Sequence, residues 1–160
     1  MKARITLAKE MIGHKLLTLF PEIERIIDSK MSWEPQDAPL ICISSDFPVK
    51  YEPEPGNNET AHHLVSFDIY LKRGDSFRDS SDTDKLMEKI KQELKKDPYL
   101  GGLVSKCHLS ESMCQQMNGE HVVRLLQGTI EIEFTVSIDE EDDGIPDDWN
   151  LNARSEIGSN

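Results

Sequence analysis

Four groups of side chains have the types and spacing that chemistry could use. They are the pair His62-His63, the set Cys107, His108, Cys114 and His121, the pair Glu131 and Glu133, and the acid-rich run Asp139–Asn150. The two histidines stand at the start of a strand-like segment, where neighbours point to opposite faces. They are expected at an exposed strand edge rather than around one metal. The Cys/His set has six residues between Cys107 and Cys114, whereas structural zinc sites space their ligands by about two to four. A cysteine nucleophile would need a base brought to it in space, and neither His108 nor His121 is placed to do that. Glu131 and Glu133 alternate with apolar residues, which makes them one solvated strand face and not an acid/base pair. Gly101-Gly102 follows a helix, not a strand, so it does not open a phosphate loop. No catalytic residue and no cofactor is expected.

The acid-rich run is the most specific of the four. Asp139-Glu140-Glu141-Asp142-Asp143-Gly144-Ile145-Pro146-Asp147-Asp148-Trp149-Asn150 resembles a short calcium loop. Oxygen ligands would fall at its first, third, fifth and ninth positions, with glycine at the sixth for the sharp turn. Glu141 replaces the usual aspartate, and Asn150 stands where a bidentate glutamate would close the site. A solvated acidic tail with a Gly-Ile-Pro turn explains the same residues, and residues 139–160 are read as that tail, disordered or ordered only by a partner.

Composition narrows the function classes. The chain has 160 residues, 37% hydrophobic and 30% charged, with 18 basic against 30 acidic residues and a net charge of −12. A surface this acidic is not built to hold phosphates, because nucleic-acid affinity comes largely from Lys and Arg displacing counterions. The plain reading is that the acidic charge keeps the protein soluble; it does not exclude DNA passing nearby, since a repelling wall suits a conduit better than a sticky one. No apolar run approaches the roughly 20 residues of a membrane span, and Lys9, Glu10 and Lys15 interrupt any signal-like stretch. A soluble protein made in the cytoplasm is expected, with Cys42, Cys107 and Cys114 as free thiols.

The elements that must position these residues follow from periodicity. Ile5, Ala8, Ile12, Leu16 and Leu19 stripe a first helix over residues 3–20, ended by Pro21. Residues 22–30 suit a further helical turn or a short strand, and both readings stay open. Leu40-Ile41-Cys42-Ile43 reads as a strand covered on both faces. Residues 48–61, with three prolines and then Gly56-Asn57-Asn58, read as a mobile surface loop. Val65, Phe67, Ile69 and Leu71 alternate with polar residues in a half-buried strand. Ser81 is the expected N-cap of a second helix striped by Leu86, Met87, Ile90 and Leu94, with Lys95 and Lys96 near its end and Asp97-Pro98 as its stop.

Asn118-Gly119 then predicts a two-residue hairpin turn. If residue 117 faces 120, Leu103 faces Phe134, Ser105 faces Ile132, Cys107 faces Ile130 and Leu109 faces Gly128. The closing strand would bury Leu126, Ile130, Ile132, Phe134, Val136 and Ile138, and Gly128 would mark a bulge or bend. The expected class is α+β, with one mostly antiparallel β-sheet, two helices on one face and a long C-terminal β-hairpin. Residues 1–138 form the domain and residues 139–160 the tail.

This layout resembles the tail terminator, or minor tail protein U-like, family of tailed bacteriophages over roughly residues 3–138. The likeness rests on the N-terminal helix, the Pro-led strand Ala38-Pro39-Leu40-Ile41-Cys42-Ile43 and the strand His63–Leu71. The helix Thr83–Lys96 and the closing strand Gln127–Val136 complete it. The resemblance implies a non-enzymatic virion protein: a homo-oligomeric ring, six copies in the family, that caps the tail tube, ends its polymerisation and offers the surface that joins the head. Its partners would be other copies of itself, the tail tube protein and a head-completion or neck protein, with DNA passing through without specific binding. Its place would be the head-proximal end of the tail. A head–tail connector, or a cytoplasmic α+β adaptor or enzyme subunit, shares the same features. Met113, Met117, Val122 and Val123 near the hairpin tip are the expected partner surface, because adaptable Met contacts suit one. The alternative is that the hairpin curls over its own helix.

Overall fold

Two helices and a mostly antiparallel sheet build the fold in the computed structural model, which describes residues 2–28, 38–74, 77–117 and 123–137. In chain order the elements are α1 (Arg4–Leu19), β1 (Ile26–Asp28), β2 (Leu40–Ser44), β3 (Lys50–Glu54), β4 (Asn58–Lys72), α2 (Ser80–Lys96), β5 (Lys106–Met117) and β6 (Val123–Ser137). Among the described residues the strands run β1-β2-β4-β6-β5 across the sheet, and β3 pairs with the start of β4. All neighbours are antiparallel except β1 with β2. The α+β class read from the sequence is the one observed. No helix among the described residues is long and apolar enough to cross a membrane.

Helix α1 stops where Pro21 requires. It buries Leu7, Ala8, Met11, Ile12 and Leu16, while Ile5 and Leu19 are only partly covered. The buried stripe is thus rotated toward Leu7 and Met11 relative to expectation. The open segment 22–30 supplies a strand, β1, whose Ile26, Ile27 and Asp28 pair in parallel with Ile41, Cys42 and Ile43. Strand β2 is buried at all five positions, as its unbroken apolar run predicts.

Residues 48–61 are a correction. They form the hairpin β3–β4, with Glu54 opposite Asn58 and a three-residue turn in which Gly56 and Asn57 take φ of 78° and 59°. Positive φ is what Gly, and less readily Asn, accepts. Pro53 is tolerated because β3 is an exposed edge strand, where a missing donor breaks no ladder. In α2 the cap is Asp79 rather than Ser81. Its carboxylate accepts from the Ser81 and Asp82 amides, and the Asp82 side chain accepts in return from the Asp79 amide. The stripe Leu86, Met87, Ile90 and Leu94 is buried as expected, joined by Thr83.

The long hairpin also departs from the expected register. Met117 pairs with Val123, Cys107 with Ile132 and Leu109 with Ile130, and β5 carries an irregularity between Leu109 and Glu111. A two-residue turn at Asn118-Gly119 is incompatible with the Met117–Val123 pair; residues 118–122 themselves lie outside the described residues. Gly128 makes no bulge against β4, with which β6 pairs without a shift from Val123 to Ser137; the irregularity lies on the β5 side, where Ser112 faces Gly128. The expected core positions Leu126, Ile130, Ile132 and Phe134 are buried and Val136 is partly so; Ile138 lies outside the described residues.

The main core lies between the helices and one face of the sheet: Val65, Phe67, Ile69 and Leu71 from β4, Leu126, Ile130, Ile132 and Phe134 from β6, and both helical stripes. A second cluster occupies one end of the other face. It contains Ala38, Leu40, Cys42, Tyr70, Val123 and Leu125, with Ile27 and Met117 packed at its margin.

Candidate functional site

Strand alternation sends His62 and His63 to opposite faces, as expected, although the pair lies inside β4 and not at its start. His63 turns to the helices and stacks on Phe134 with centroids 5.0 Å apart. The guanidinium of Arg4 lies over the same ring at 5.4 Å. Burial lowers the His63 pKa, because desolvation penalises the imidazolium.

His62 turns to the helix-free face and is held between two carboxylates. Its Nδ1 is 3.0 Å from Glu133 Oε1. Its Nε2 faces Glu52 Oε2 at 3.4 Å, without hydrogen-bond geometry. Lys106 lies 3.8 Å from Glu131 and 3.7 Å from Glu133, and His108 Nε2 lies 3.4 Å from Glu131. The carboxylates of Glu131 and Glu133 are thus half-buried and paired across strands, where simple solvation was expected. The cluster draws on β3, β4, β5 and β6, and its Glu52, His62, Glu131 and Glu133 line a hollow of about 290 Å³ with Pro48, Lys50 and Leu64. Sequence reading missed it because β3 was read as a loop, which left Glu52 unplaced. The signal was the Gly56-Asn57 pair, which fits a hairpin turn.

Further along the same face the residues are mostly uncharged and polar, with the carboxylates of Asp68 and Glu111 among them. Gln127 donates to Asp68 at 3.0 Å and accepts from Gln115 at 3.4 Å. Asp68 and Gln127 line an open trough of about 540 Å³ with Ser66, Glu111, Ser112, Met113 and Thr129. This face therefore passes from a charged patch through a polar trough to the apolar cluster around Tyr70 and Leu125.

The expected partner residues divide. Met113 is 52% exposed and borders the trough. Met117 is half-buried against the second cluster. Val123 is 1% exposed, so the folded chain itself takes up that side chain. Val122 lies outside the described residues.

The cysteine set is not brought together. Cys107 is buried on the helix side, opposite Ile132 rather than the expected Ile130, while His108 reaches Glu131 on the other face. Cys114 lies 3.9 Å from the Thr83 carbonyl at the start of α2, and His121 is outside the described residues. Burial pushes the thiols of Cys42 and Cys107 up to about 11 and raises that of Cys114 as well. These thiols are held in the protonated, poorly nucleophilic form at neutral pH. The acid-rich run Asp139–Asn150, with its calcium-loop pattern, lies outside the described residues. Compared with known families and curated proteins, the chain matches no family model and no curated protein.

Proposed function

We propose that this chain is a structural, non-enzymatic protein of a phage virion, assembling as a ring of about six copies that caps the tail tube. In this role the ring ends tube polymerisation and offers the surface on which the head docks. The observation that carries the reading is the placement of elements. An N-terminal helix, a Pro-led strand buried on both faces, a long strand, a helix and a long closing strand lie at the ranges on which the family likeness rests. The β3–β4 hairpin and the acidic tail are additions to that layout. A ring needs two complementary surfaces on each copy, meeting head to tail, and a sheet with two different edges and a graded free face can supply them.

DNA would pass through such a ring without being held. Support comes from the net charge of −12 and from the carboxylates of Glu52, Glu131 and Glu133 on the helix-free face. Native mass spectrometry, alone and with the tail tube protein, is the deciding experiment. The expected result is a closed ring and tubes that stop growing when it is added. A chain that stays monomeric even with the tube protein rules the reading out. A ring that binds the head-completion protein but leaves tube growth unchanged assigns it to the neck instead.

A further inference from the structure

We infer that the outer face of α2 is a docking surface for the chain's own acidic segment 139–148. More than half of the net charge of −12 sits in that ten-residue run, which holds seven carboxylates and no basic residue. The last two turns of α2 carry the opposite sign. Lys89, Lys91, Lys95 and Lys96 are all exposed there, with Glu93 the one acid among them. Glu93 is engaged by Lys96 at 3.0 Å. The next acid, Asp97, is 3.9 Å from Lys15 and accepts from the Gly101 amide. Lys89, Lys91 and Lys95 make no ion pair among the described residues.

The helix dipole accounts for only part of this. Cations near a helix C-terminus are favourable, but the effect fades beyond the last turn. That rationalises Lys95 and Lys96; Lys89 and Lys91 lie further in. Nothing packed inside the fold uses their charge either, since α2 faces its core through Thr83, Leu86, Met87, Ile90 and Leu94.

Topology gives α2 and β6 a common direction. The start of α2 lies by Cys114, which pairs with Leu126. The segment after its end is tied to β6 by the Ser105 amide donating to the Glu133 carbonyl at 2.8 Å. Strand β6 ends four residues later, at Ser137. Strand β6, from whose end the acidic run follows in sequence, therefore runs in the same direction as α2, toward its lysine-rich end. Ten residues reach about 33 Å when extended, while a 17-residue helix is about 25 Å long at ~1.5 Å per residue. A short tether also keeps the local concentration of the segment in the millimolar range, which favours docking within one copy.

Zero-length carbodiimide cross-linking of the full chain tests this, using an equal mixture of unlabelled and nitrogen-15-labelled copies. At about 10 mM salt, where screening is weak over ~30 Å, cross-links are expected from Lys89, Lys91 and Lys95 to residues 139–148, within single copies. Near 1 M salt, where screening acts over ~3 Å, they should be lost. Lys106, held by Glu131 and Glu133, serves as the internal reference whose cross-links persist. Three results overturn the inference: no cross-link from α2 at low salt, links from the acidic run mainly to lysines outside α2, or links only between labelled and unlabelled copies.

Discussion

Gly128 and Phe67 are directly paired across the β4–β6 ladder. A side chain at 128 would occupy the space of the Phe67 ring and press on Leu109. Phe67 is fully buried, so the ring has no empty space to move into. Ordinarily, Gly→Ala in a strand gains stability through backbone entropy; here overpacking should reverse the sign. Gly128→Ala is expected to destabilise by about 1–3 kcal/mol in urea unfolding. In a Phe67→Leu background the same change should cost less than about 1 kcal/mol, because the two positions share one volume. Equal costs in both backgrounds would show that the ring is not the cause. His63 gives the second test at this scale. Its folded pKa lies below the ordinary histidine value of 6.5 because burial disfavours the imidazolium, so between the two values the unfolded chain binds more protons than the folded one. Stability then rises with pH in that window: the contribution is fully present above 6.5 and is lost as pH falls below it. His63→Phe should lose less stability than the parent between about pH 7.5 and pH 5, and identical losses would assign the acid sensitivity to other groups.

Cap chemistry is decided at the scale of the element. Both Asp79 and Ser81 are residue types that cap helices, and periodicity alone could not choose between them. The choice is fixed by Asp82, which returns a hydrogen bond to the Asp79 amide and so closes a reciprocal box. Asp79→Ala should cost about 1 kcal/mol, and Ser81→Ala clearly less, since its hydroxyl only donates to the same carboxylate at an exposed site. Thermal unfolding of the two variants tests the assignment, and an equal or larger loss in Ser81→Ala would reverse it. The same limit governs what could be read of the strands. Hydrophobic alternation has a period of two, so it cannot distinguish registers that differ by two residues. The expected pairing of Cys107 with Ile130 and the observed pairing with Ile132 put the same side chains on the same face. Only turn length separates them, and the Asn118-Gly119 dipeptide suggested too short a turn. The β3 strand was hidden for another reason. Its residues are exposed throughout, leaving no alternation to detect, and Pro53 argued against a strand that only an edge could accommodate.

For the whole molecule, the core was legible because burial leaves a periodic trace, whereas the helix-free face was only partly so. Glu131 and Glu133 could be assigned to an outward strand face from sequence. Their partners His62 and Lys106, and Glu52 on the other side of His62, come from three other strands, and such a cluster exists only once the sheet order is known. The partner surface shows the same division. Met113, Met117 and Val123 look alike in sequence, yet the fold leaves Met113 open at the trough and buries Val123 beside Tyr70 and Leu125. If the trough face meets a neighbouring copy or the tail tube, a charge at 113 should harm assembly without harming the fold. Met113→Asp is expected to change monomer stability by no more than about 0.5 kcal/mol, as surface changes usually do, while abolishing ring formation or tube capping in native mass spectrometry. Val123→Asp should cost about 3 kcal/mol or more, because it buries an unpaired carboxylate, so assembly would fail there for lack of a folded subunit. A Met113→Asp chain that forms rings and stops tube growth like the parent would remove the trough from the interface. The next surfaces to test would be the sheet edges among the described residues, β5 on one side and β1 with β3 on the other, where unpaired backbone groups can join two chains by strand pairing.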